Sequence, residues 1–474
     1  MQERHRIFQF VSGKMTKEDN GISTSWNTWV DNLFRPASIY PLVGLRIAFG
    51  FSMALWAAGM LLTGKVTQLF YKPRFFFPYE GLEWIQPLKS PGVHLVFVLI
   101  ALAALMIAAG WFYRISTIVF TFLFTYISLI DKASYLSYYY YVLVLSVMLM
   151  LSPANRLFSF DQLRKTNFRA DYVPNWCILA FKIQVVMVFY FAGMAKLNAD
   201  WLFGGRPAMI WLTEILGKAG ISPDLVLENT WIPIVFSWLL LLFDFMMPQF
   251  LYDNKTSVTA FKIVCVVQLL AMVLLPTGFF PVLIVLSCII FLPADLIHSF
   301  ISRIAYFLFD IFEFKDDVFN PGGTVLLQYR KKRLFPILLA GFLFMQICVP
   351  VSLFLNWGSD RWADAAFSFS WDVRVNEKHG VITFFQLNQK TGEERLIDLN
   401  FYLSKMQQNK MAEDPEMIDQ FASYLYSHHN YDPGLLQLKA VSCISLNGRK
   451  PDCRSFLAGE TIIPVGKAND DSGQ

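Results

Sequence analysis

The feature that most constrains this chain is a series of apolar stretches, several of about 18 or more residues, that carry few charges. That length lets a helix satisfy its own backbone hydrogen bonds across about 30 Å of lipid hydrocarbon. Hydrophobic residues make up 55% of the 474 residues and charged residues only 16%, too apolar a composition for a soluble globular protein. The net charge of +4 is too small and dispersed to favour nucleic acid as a partner. The sequence therefore predicts an α-helical polytopic membrane protein whose first partner is the lipid membrane.

Nine segments are candidate transmembrane helices. They are residues 38–62, 93–113, 115–130, 135–151, 176–195, 231–248, 258–276, 278–300 and 334–355. The segment before them, 1–37, is polar and lacks the short apolar core and cleavage site of a removable signal peptide. We therefore expect a cytoplasmic N-terminal segment and a first span that serves as its own insertion signal.

Basic residues predict the orientation. The connection 155–171 holds four basic residues, and the connection 301–333 ends in the run Arg330-Lys331-Lys332-Arg333. Both should be cytoplasmic, because cytoplasmic loops carry an excess of Lys and Arg. Counting spans from either connection gives a transmembrane domain over 38–356 and an extracytoplasmic soluble domain over 357–474. The first outer loop, 64–90, is also basic, but its aromatic residues favour an interfacial helix.

The C-terminal part reads as a small α+β domain. Strand-like runs occupy residues 381–387, 395–399 and 436–446. The first two runs flank a turn at 390–392 and predict a hairpin. Asp414-Pro415 marks a helix start, with Asp as N-cap and Pro at the first helical position.

Two of the six cysteines, Cys443 and Cys453, lie in this outer domain, ten residues apart across the turn Asn447-Gly448. In a compartment where disulfides persist, they form either a disulfide or two unpaired buried thiols. The other cysteines fall within predicted spans, where cysteine behaves as a small hydrophobic residue. No Cys/His spacing predicts a metal site.

Charged residues inside spans are costly and are functional hypotheses by default. They are Arg46, Lys182, Lys196, Asp244 and Lys262. Arg46 is expected to pair with a buried carboxylate. Lys182 and Lys262 lie close enough to the cytoplasmic ends to extend to the interface.

Lys196 ends the fifth span and has two interpretations. It is either an interfacial lysine paired with Asp200 one turn on, or a partly desolvated amine whose lowered pKa lets it act as a base. Small residues before it, among them Gly193, allow another helix to approach closely.

Tyrosines open the fourth span, and among them Tyr138 and Tyr139 also have two interpretations. They belong either to an aromatic belt at the membrane interface or to a pocket for a flat ring. No histidine lies at mid-membrane, since His94 and His298 fall at span edges.

A resemblance to a known family is centred on Lys196. It is carried by Ala192-Gly193-Met194-Ala195-Lys196-Leu197-Asn198-Ala199-Asp200-Trp201. It continues through 40–47, Thr277-Gly278-Phe279-Phe280-Pro281, 410–422 and Ser445-Leu446-Asn447-Gly448-Arg449. In these segments the chain resembles vitamin K-dependent gamma-carboxylases, whose bacterial relatives are called the HTTM family.

The resemblance implies a lyase in which Lys196 deprotonates reduced vitamin K or a menaquinone-like hydroquinone. The hydroquinone reacts with oxygen to give the epoxide, and a substrate glutamate is carboxylated. The pocket candidates are Tyr138, Tyr139, Gln268, Asp200 and Trp201. The family's distribution implies a bacterial inner membrane, with the outer domain in the periplasm presenting a protein substrate or partner.

Three positions depart from the family pattern. Tyr138 stands where the family has a catalytic His, and Gln268 and Ala271 stand where it has His and Asn. Two functions therefore compete. One is a carboxylase-like enzyme that oxidises a hydroquinone. The alternative is a catalytically degenerate member that acts as a membrane binding or assembly partner through its outer domain.

Overall fold

The computed structural model describes residues 31–164, 168–275, 277–312, 334–355, 378–388, 390–429, 436–457 and 463–464. The basic run at 330–333, which is predicted to be cytoplasmic, and most of the N-terminal segment lie outside these residues. The predicted orientation therefore stays a prediction.

The N-terminal part is almost entirely helical. Its helices are α1 (Tyr40–Leu62), α2 (Lys65–Phe70), α3 (Gly92–Ala109), α4 (Tyr113–Leu129), α5 (Ser137–Leu151), α6 (Phe160–Arg164), α7 (Asn175–Ala195), α8 (Arg206–Lys218), α9 (Asp224–Glu228), α10 (Trp231–Tyr252), α11 (Ser257–Leu274), α12 (Phe280–Cys288), α13 (Ala294–Phe312) and α14 (Leu334–Leu355). Two short antiparallel strands, β1 (Pro36–Ser38) and β2 (Tyr172–Pro174), join the entries to α1 and α7. Sequence patterning did not indicate α8 or α9.

Within the described part, five helices are long and apolar enough to cross a membrane, namely α1, α3, α7, α10 and α11. A bent pair, Phe280–Phe291 with Ala294–Arg303, makes a sixth candidate. Shorter apolar helices are Tyr113–Leu129, Ser137–Leu151 and Pro336–Ser352. The chain is thus a polytopic membrane protein, while the total of nine spans stays a prediction.

The predicted span 278–300 is not one continuous helix, since the chain bends by 115° between its two halves. The break falls at Leu292, whose backbone is extended with ψ 146°, directly before Pro293. Proline lacks a backbone N–H and disfavours helical geometry in the residue before it. This dipeptide therefore explains why the helix bends here.

The tyrosines that open α5 lie inside the bundle. Tyr138, Tyr139 and Tyr141 are buried, and the ring of Tyr139 contacts those of Trp56 and Phe124. The interpretation of Tyr138 and Tyr139 as part of an aromatic belt at the membrane interface is therefore wrong. Packing against α1 and α4 decides their position.

The prediction that Arg46 pairs with a buried carboxylate is also wrong. The buried guanidinium donates hydrogen bonds to the backbone carbonyls of Ala154, at 2.8 Å, and Leu157, at 3.2 Å, and to that of Phe158. Several rigid donors suit guanidinium to such a cluster of acceptors. Arg46 thus provides hydrogen-bond donors for the backbone carbonyls of the turn that follows α5.

The C-terminal domain, named the outer domain after its predicted side of the membrane, is an antiparallel sheet covered by helices on one face. Its elements are β3 (Lys378–Asn388), β4 (Glu394–Ile397), α15 (Lys405–Glu413), α16 (Pro415–His429), β5 (Leu436–Leu446), β6 (Asp452–Leu457) and β7 (Ile463–Pro464). The strand order is β4-β3-β5-β6-β7, with β3 paired to β5 along its whole length. The predicted hairpin, the helix start at Pro415 and the strand 436–446 are confirmed. Unpredicted α15 begins in a capping box between Ser404 and Gln407.

The disulfide between Cys443 and Cys453 is confirmed. The two residues are directly opposite each other in the register of β5 and β6. The bond therefore ties together the two strands of the hairpin that ends in Asn447-Gly448.

The first outer loop binds the outer domain. Phe77 lies in the core of that domain, and Gln407 donates hydrogen bonds to the carbonyl of Phe75 and to the carboxylate of Asp131. Lys132 pairs with both Asp414 and Glu416 at 2.8 Å. The loop 64–90 is expected from its sequence to form an interfacial helix. In the structure only the six residues of α2 are helical, so that expectation is wrong for most of the loop.

Gly50 permits the close crossing of α1 and α3. A Cβ at Gly50 would lie 2.5 Å from the Ala104 carbonyl oxygen and the Ala108 nitrogen. Backbone atoms cannot yield as a flexible side chain can, so Gly50→Ala should lower the free energy of unfolding by about 1–3 kcal/mol. Thermal unfolding of the full-length protein in detergent measures the loss.

Gly59→Ala, in the same helix, is the matched control. A Cβ there meets no atom within 4 Å, so the change should be neutral or stabilising by up to about 1 kcal/mol. Equal melting temperatures for the two variants would contradict the proposed close crossing.

Candidate functional site

Lys196 caps the C-terminal end of α7 and is only 9% exposed. Its Nζ donates hydrogen bonds to Asp244 Oδ2, at 2.6 Å, and to the Ala192 carbonyl oxygen, at 3.0 Å. Of the two interpretations of Lys196, the one in which it pairs with Asp200 is wrong. The helix ends at Ala195, so Asp200 no longer lies one turn along the same helical face.

Asp244 reaches Lys196 because α7 and α10 approach closely. A Cβ at Gly193 would lie 3.0 Å from the ring of Phe245, so the absence of a side chain there lets α10 come near. The prediction that small residues before Lys196 admit another helix is confirmed. The sequence identified Asp244 only as an intramembrane charge. The rule that such charges pair with one another could have connected it to Lys196.

An aromatic cap covers the ion pair. After α7 the chain forms one π-helical turn, Asp200–Gly204, in which Trp201 is 1% exposed. The ring centroid of Trp201 lies 5.4 Å from Lys196 Nζ, and its ring packs edge-on against Trp211 at 5.6 Å. Apolar side chains around the two tryptophans are Ala195, Phe236, Leu240 and Leu275. The lysine head group is thus held between a carboxylate and an indole face.

Gly205 places this cap. Its φ of 52° is left-handed, and a Cβ there would lie 2.7 Å from the Ile234 nitrogen. Glycine adopts this backbone conformation without steric cost. The turn therefore leads directly into α8 and brings Trp211 back against Trp201.

The ion pair of Lys196 and Asp244 determines which proton transfers the site can perform. A lysine amine accepts a proton only after releasing its own, and Asp244 Oδ2 is the carboxylate oxygen within hydrogen-bonding distance. A charged pair this poorly exposed is costly to desolvate unless its geometry is good. The arrangement therefore positions an amine and provides an acceptor for its proton.

Asp200 contacts the outer domain instead of Lys196. Its carboxylate accepts a hydrogen bond from Asn447 Nδ2 at 3.0 Å and pairs with the guanidinium of Arg449. Burial alone would raise the pKa of Asp200. The Asn447 and Arg449 hydrogen bonds and the charges of Arg449 and Arg206 outweigh burial, so the pKa lies below the ordinary 3.8.

The remaining pocket candidates lie in two other places. Tyr138 accepts a hydrogen bond from Trp56 Nε1 at 3.3 Å and packs against Tyr139 and Phe279, within the 277–281 segment. Gln268 is partly exposed on α11. The hydrogen bonds that the structure gives the Lys196 amine go to Asp244 and Ala192, not to these residues.

The described ranges contain no group of three or more His, Cys, Asp or Glu side chains placed to hold a metal ion.

Comparison with known families matches both parts of the chain. The profile of the HTTM domain matches residues 34–296, more than half of the sequence. The profile of the vitamin K-dependent gamma-carboxylase lumenal domain matches residues 331–454. No solved structure matches the chain.

Asp244→Asn should remove the carboxylate partner of Lys196, whose poorly exposed charge would then be unpaired. Breaking a buried pair in this way lowers the free energy of unfolding by about 3 kcal/mol. The double variant Lys196→Met with Asp244→Asn should recover most of the loss. Thermal unfolding of all three variants completes the cycle.

The exposed pair Lys218–Glu214 is the control, with side-chain exposures of 55% and 43%. Glu214→Gln should cost less than about 1 kcal/mol. A loss as small as this in Asp244→Asn would show that the Lys196 pair is not desolvated.

The Asp200 contact should depend on pH. Because the pKa of Asp200 is lower when the contact is made, the contact stabilises docking fully above pH 3.8 and is lost as the pH falls through the lower value. Hydrogen exchange at 445–451, corrected for intrinsic rates, should therefore rise at acid pH. Asp200→Asn should remove this dependence, and an unchanged pH profile in that variant would assign the titration to another group.

Proposed function

This chain belongs to the HTTM family and carries a vitamin K-dependent gamma-carboxylase lumenal domain, and on that premise we propose that it oxidises a quinone-type hydroquinone. Lys196 is the proposed base. The observation that carries the proposal is the placement of this amine, paired with Asp244 beneath Trp201 at the end of a membrane-spanning helix.

The proton transfer requires a base. A phenol such as that of tyrosine has an ordinary pKa of about 10, so a hydroquinone hydroxyl needs a base beside it to lose its proton near neutral pH. Asp244 orients the amine and accepts the proton that the amine must first release. Trp201, packed against Trp211, places an aromatic ring beside this amine.

In the full reaction carbon dioxide would replace the γ-proton of a substrate glutamate, while a reduced vitamin K or menaquinone-like hydroquinone would supply the reducing equivalents for dioxygen and leave as the epoxide, with release of water. The hydroquinone's apolar tail suits entry from the lipid, and the lumenal-type outer domain suits presentation of a polypeptide substrate. With nine spans and the basic connections inside, that domain would face the periplasm of a bacterial inner membrane.

The alternative is a catalytically degenerate member that binds or assembles a partner through its outer domain. The observation in its favour is the residue set Tyr138, Gln268 and Ala271, where the family pattern has His, His and Asn. Tyr138 lies in the aromatic core beside Trp56, so its hydroxyl does not contact the Lys196 amine.

The test is oxidation of vitamin K hydroquinone to the epoxide by the purified full-length protein, with and without a glutamate peptide and bicarbonate. Wild type should form epoxide, and Lys196→Ala should reduce the rate by about 100-fold or more, as removal of a general base does. Lys182→Ala is the matched control, because it removes another lysine of α7 that lies near Tyr252 and Phe291.

Equal losses in the two lysine variants would mean that the effect is structural. Absence of epoxide from wild type, where a known carboxylase is active, would contradict the enzymatic proposal and favour the binding protein.

A further inference from the structure

We propose that Asn447, Gly448 and Arg449, hereafter the hairpin tip, position the Lys196 site from the outer domain. Contact of the tip with Asp200 fixes the turn that holds Trp201 over the Lys196 amine. The catalytic consequence rests on the proposed function of Lys196, whereas the mechanical coupling stands on the geometry alone.

The tip is shaped for this contact. Asn447 and Gly448 have φ values of 50° and 68°, the left-handed region that asparagine and glycine adopt most readily. This turn brings the Asn447 amide and the Arg449 guanidinium to the same carboxylate, that of Asp200. Two residues of the outer domain therefore hold one residue of the membrane domain.

Asp200 directly precedes Trp201 in the π-helical turn, so fixing one constrains the other. The tip also lies beside the second tryptophan's helix, because a Cβ added at Gly448 would lie 3.5 Å from Ile210, the neighbour of Trp211. The tip thus bonds to one of the two segments that carry the aromatic cap and lies next to the other. Displacing it would release the cap on both sides.

The hairpin behind the tip is firmly held. The strands β5 and β6 pair from Lys439↔Leu457 to Ile444↔Asp452, and the Cys443–Cys453 disulfide lies one residue pair before the end of that ladder. At its far side the outer domain is held by Asp131 and Lys132. A ligand that shifts the outer domain would therefore move the tip as a unit rather than bend it.

Reactivity of the Lys196 amine reports this coupling without requiring catalysis. Full-length protein in nanodiscs is labelled briefly with an acetylating reagent at several pH values, and modification at Lys196 is quantified by mass spectrometry. Arg449→Ala should raise the labelling rate of Lys196 by about two- to five-fold, the change in local opening expected when one partly exposed ion pair is lost. Arg449→Lys should restore most of the protection, because it keeps the charge.

The matched control is Arg454→Ala, which removes an arginine from the same hairpin that pairs with Asp452 of its own strand. That variant should leave Lys196 labelling unchanged, and labelling of the exposed Lys218 should be the same in every variant. Unchanged labelling of Lys196 in both Arg449→Ala and the double variant Asn447→Ala with Arg449→Ala would overturn the proposal.

Activity separates this inference from the proposed function. If wild type forms epoxide, Arg449→Ala should alter the pH profile of the rate while Arg454→Ala should not. If wild type forms none, the labelling result still decides whether the tip positions the Lys196 site.

Discussion

The structure depends on one constraint, which is that lipid hydrocarbon surrounds its membrane-spanning helices in place of water. It obliges each spanning segment to be a helix and makes each charge within a span costly unless other groups of the protein satisfy it. Arg46 and Lys196 meet that demand differently. Arg46 donates to backbone carbonyls after α5, which stabilises a turn and leaves no reactive group. Lys196 instead pairs with one carboxylate, that of Asp244, and donates a second hydrogen bond to the Ala192 carbonyl.

The two parts of the chain are interdependent. The outer domain completes its core with Phe77 from the first outer loop, and its hairpin meets the turn that follows α7. Each contact joins residues far apart in sequence, and the contacts with Asp131 and Asp200 lie on different connections of the membrane domain. In the coupling proposed above, a shift of the outer domain reaches the Lys196 site through these contacts.

Family membership and site chemistry carry different parts of the functional conclusion. The HTTM and lumenal-domain matches establish a carboxylase-like membrane protein, while the activity depends on what surrounds Lys196. The resemblance predicts a departure from the family pattern at Tyr138, Gln268 and Ala271. Asp244 is the group that the structure provides beside the lysine.

The sequence by itself determined much of the local structure, although it did not indicate the helices α8, α9 and α15. Apolar length located the membrane-spanning helices, alternation located the hairpin, Asp414-Pro415 located the start of α16, and ten-residue spacing across a turn indicated the Cys443–Cys453 bond. These features follow from local patterns because each depends on residues that are close in sequence or on the solvent around one segment. The Leu292-Pro293 dipeptide carried a further local signal, for the bend after α12.

Only the tertiary structure decided which charged groups meet. Local spacing paired Lys196 with Asp200, four residues on, whereas packing paired Lys196 with Asp244 and Asp200 with Arg449. The aromatic residues of the first loop and of α5 likewise matched an interfacial pattern, yet protein cores took up Phe77, Tyr138 and Tyr139. The reason is physical: composition fixes the solvent that a segment prefers, but the choice of partner depends on how closely helices approach. Glycines such as Gly193 and the ends of helices set that approach in three dimensions.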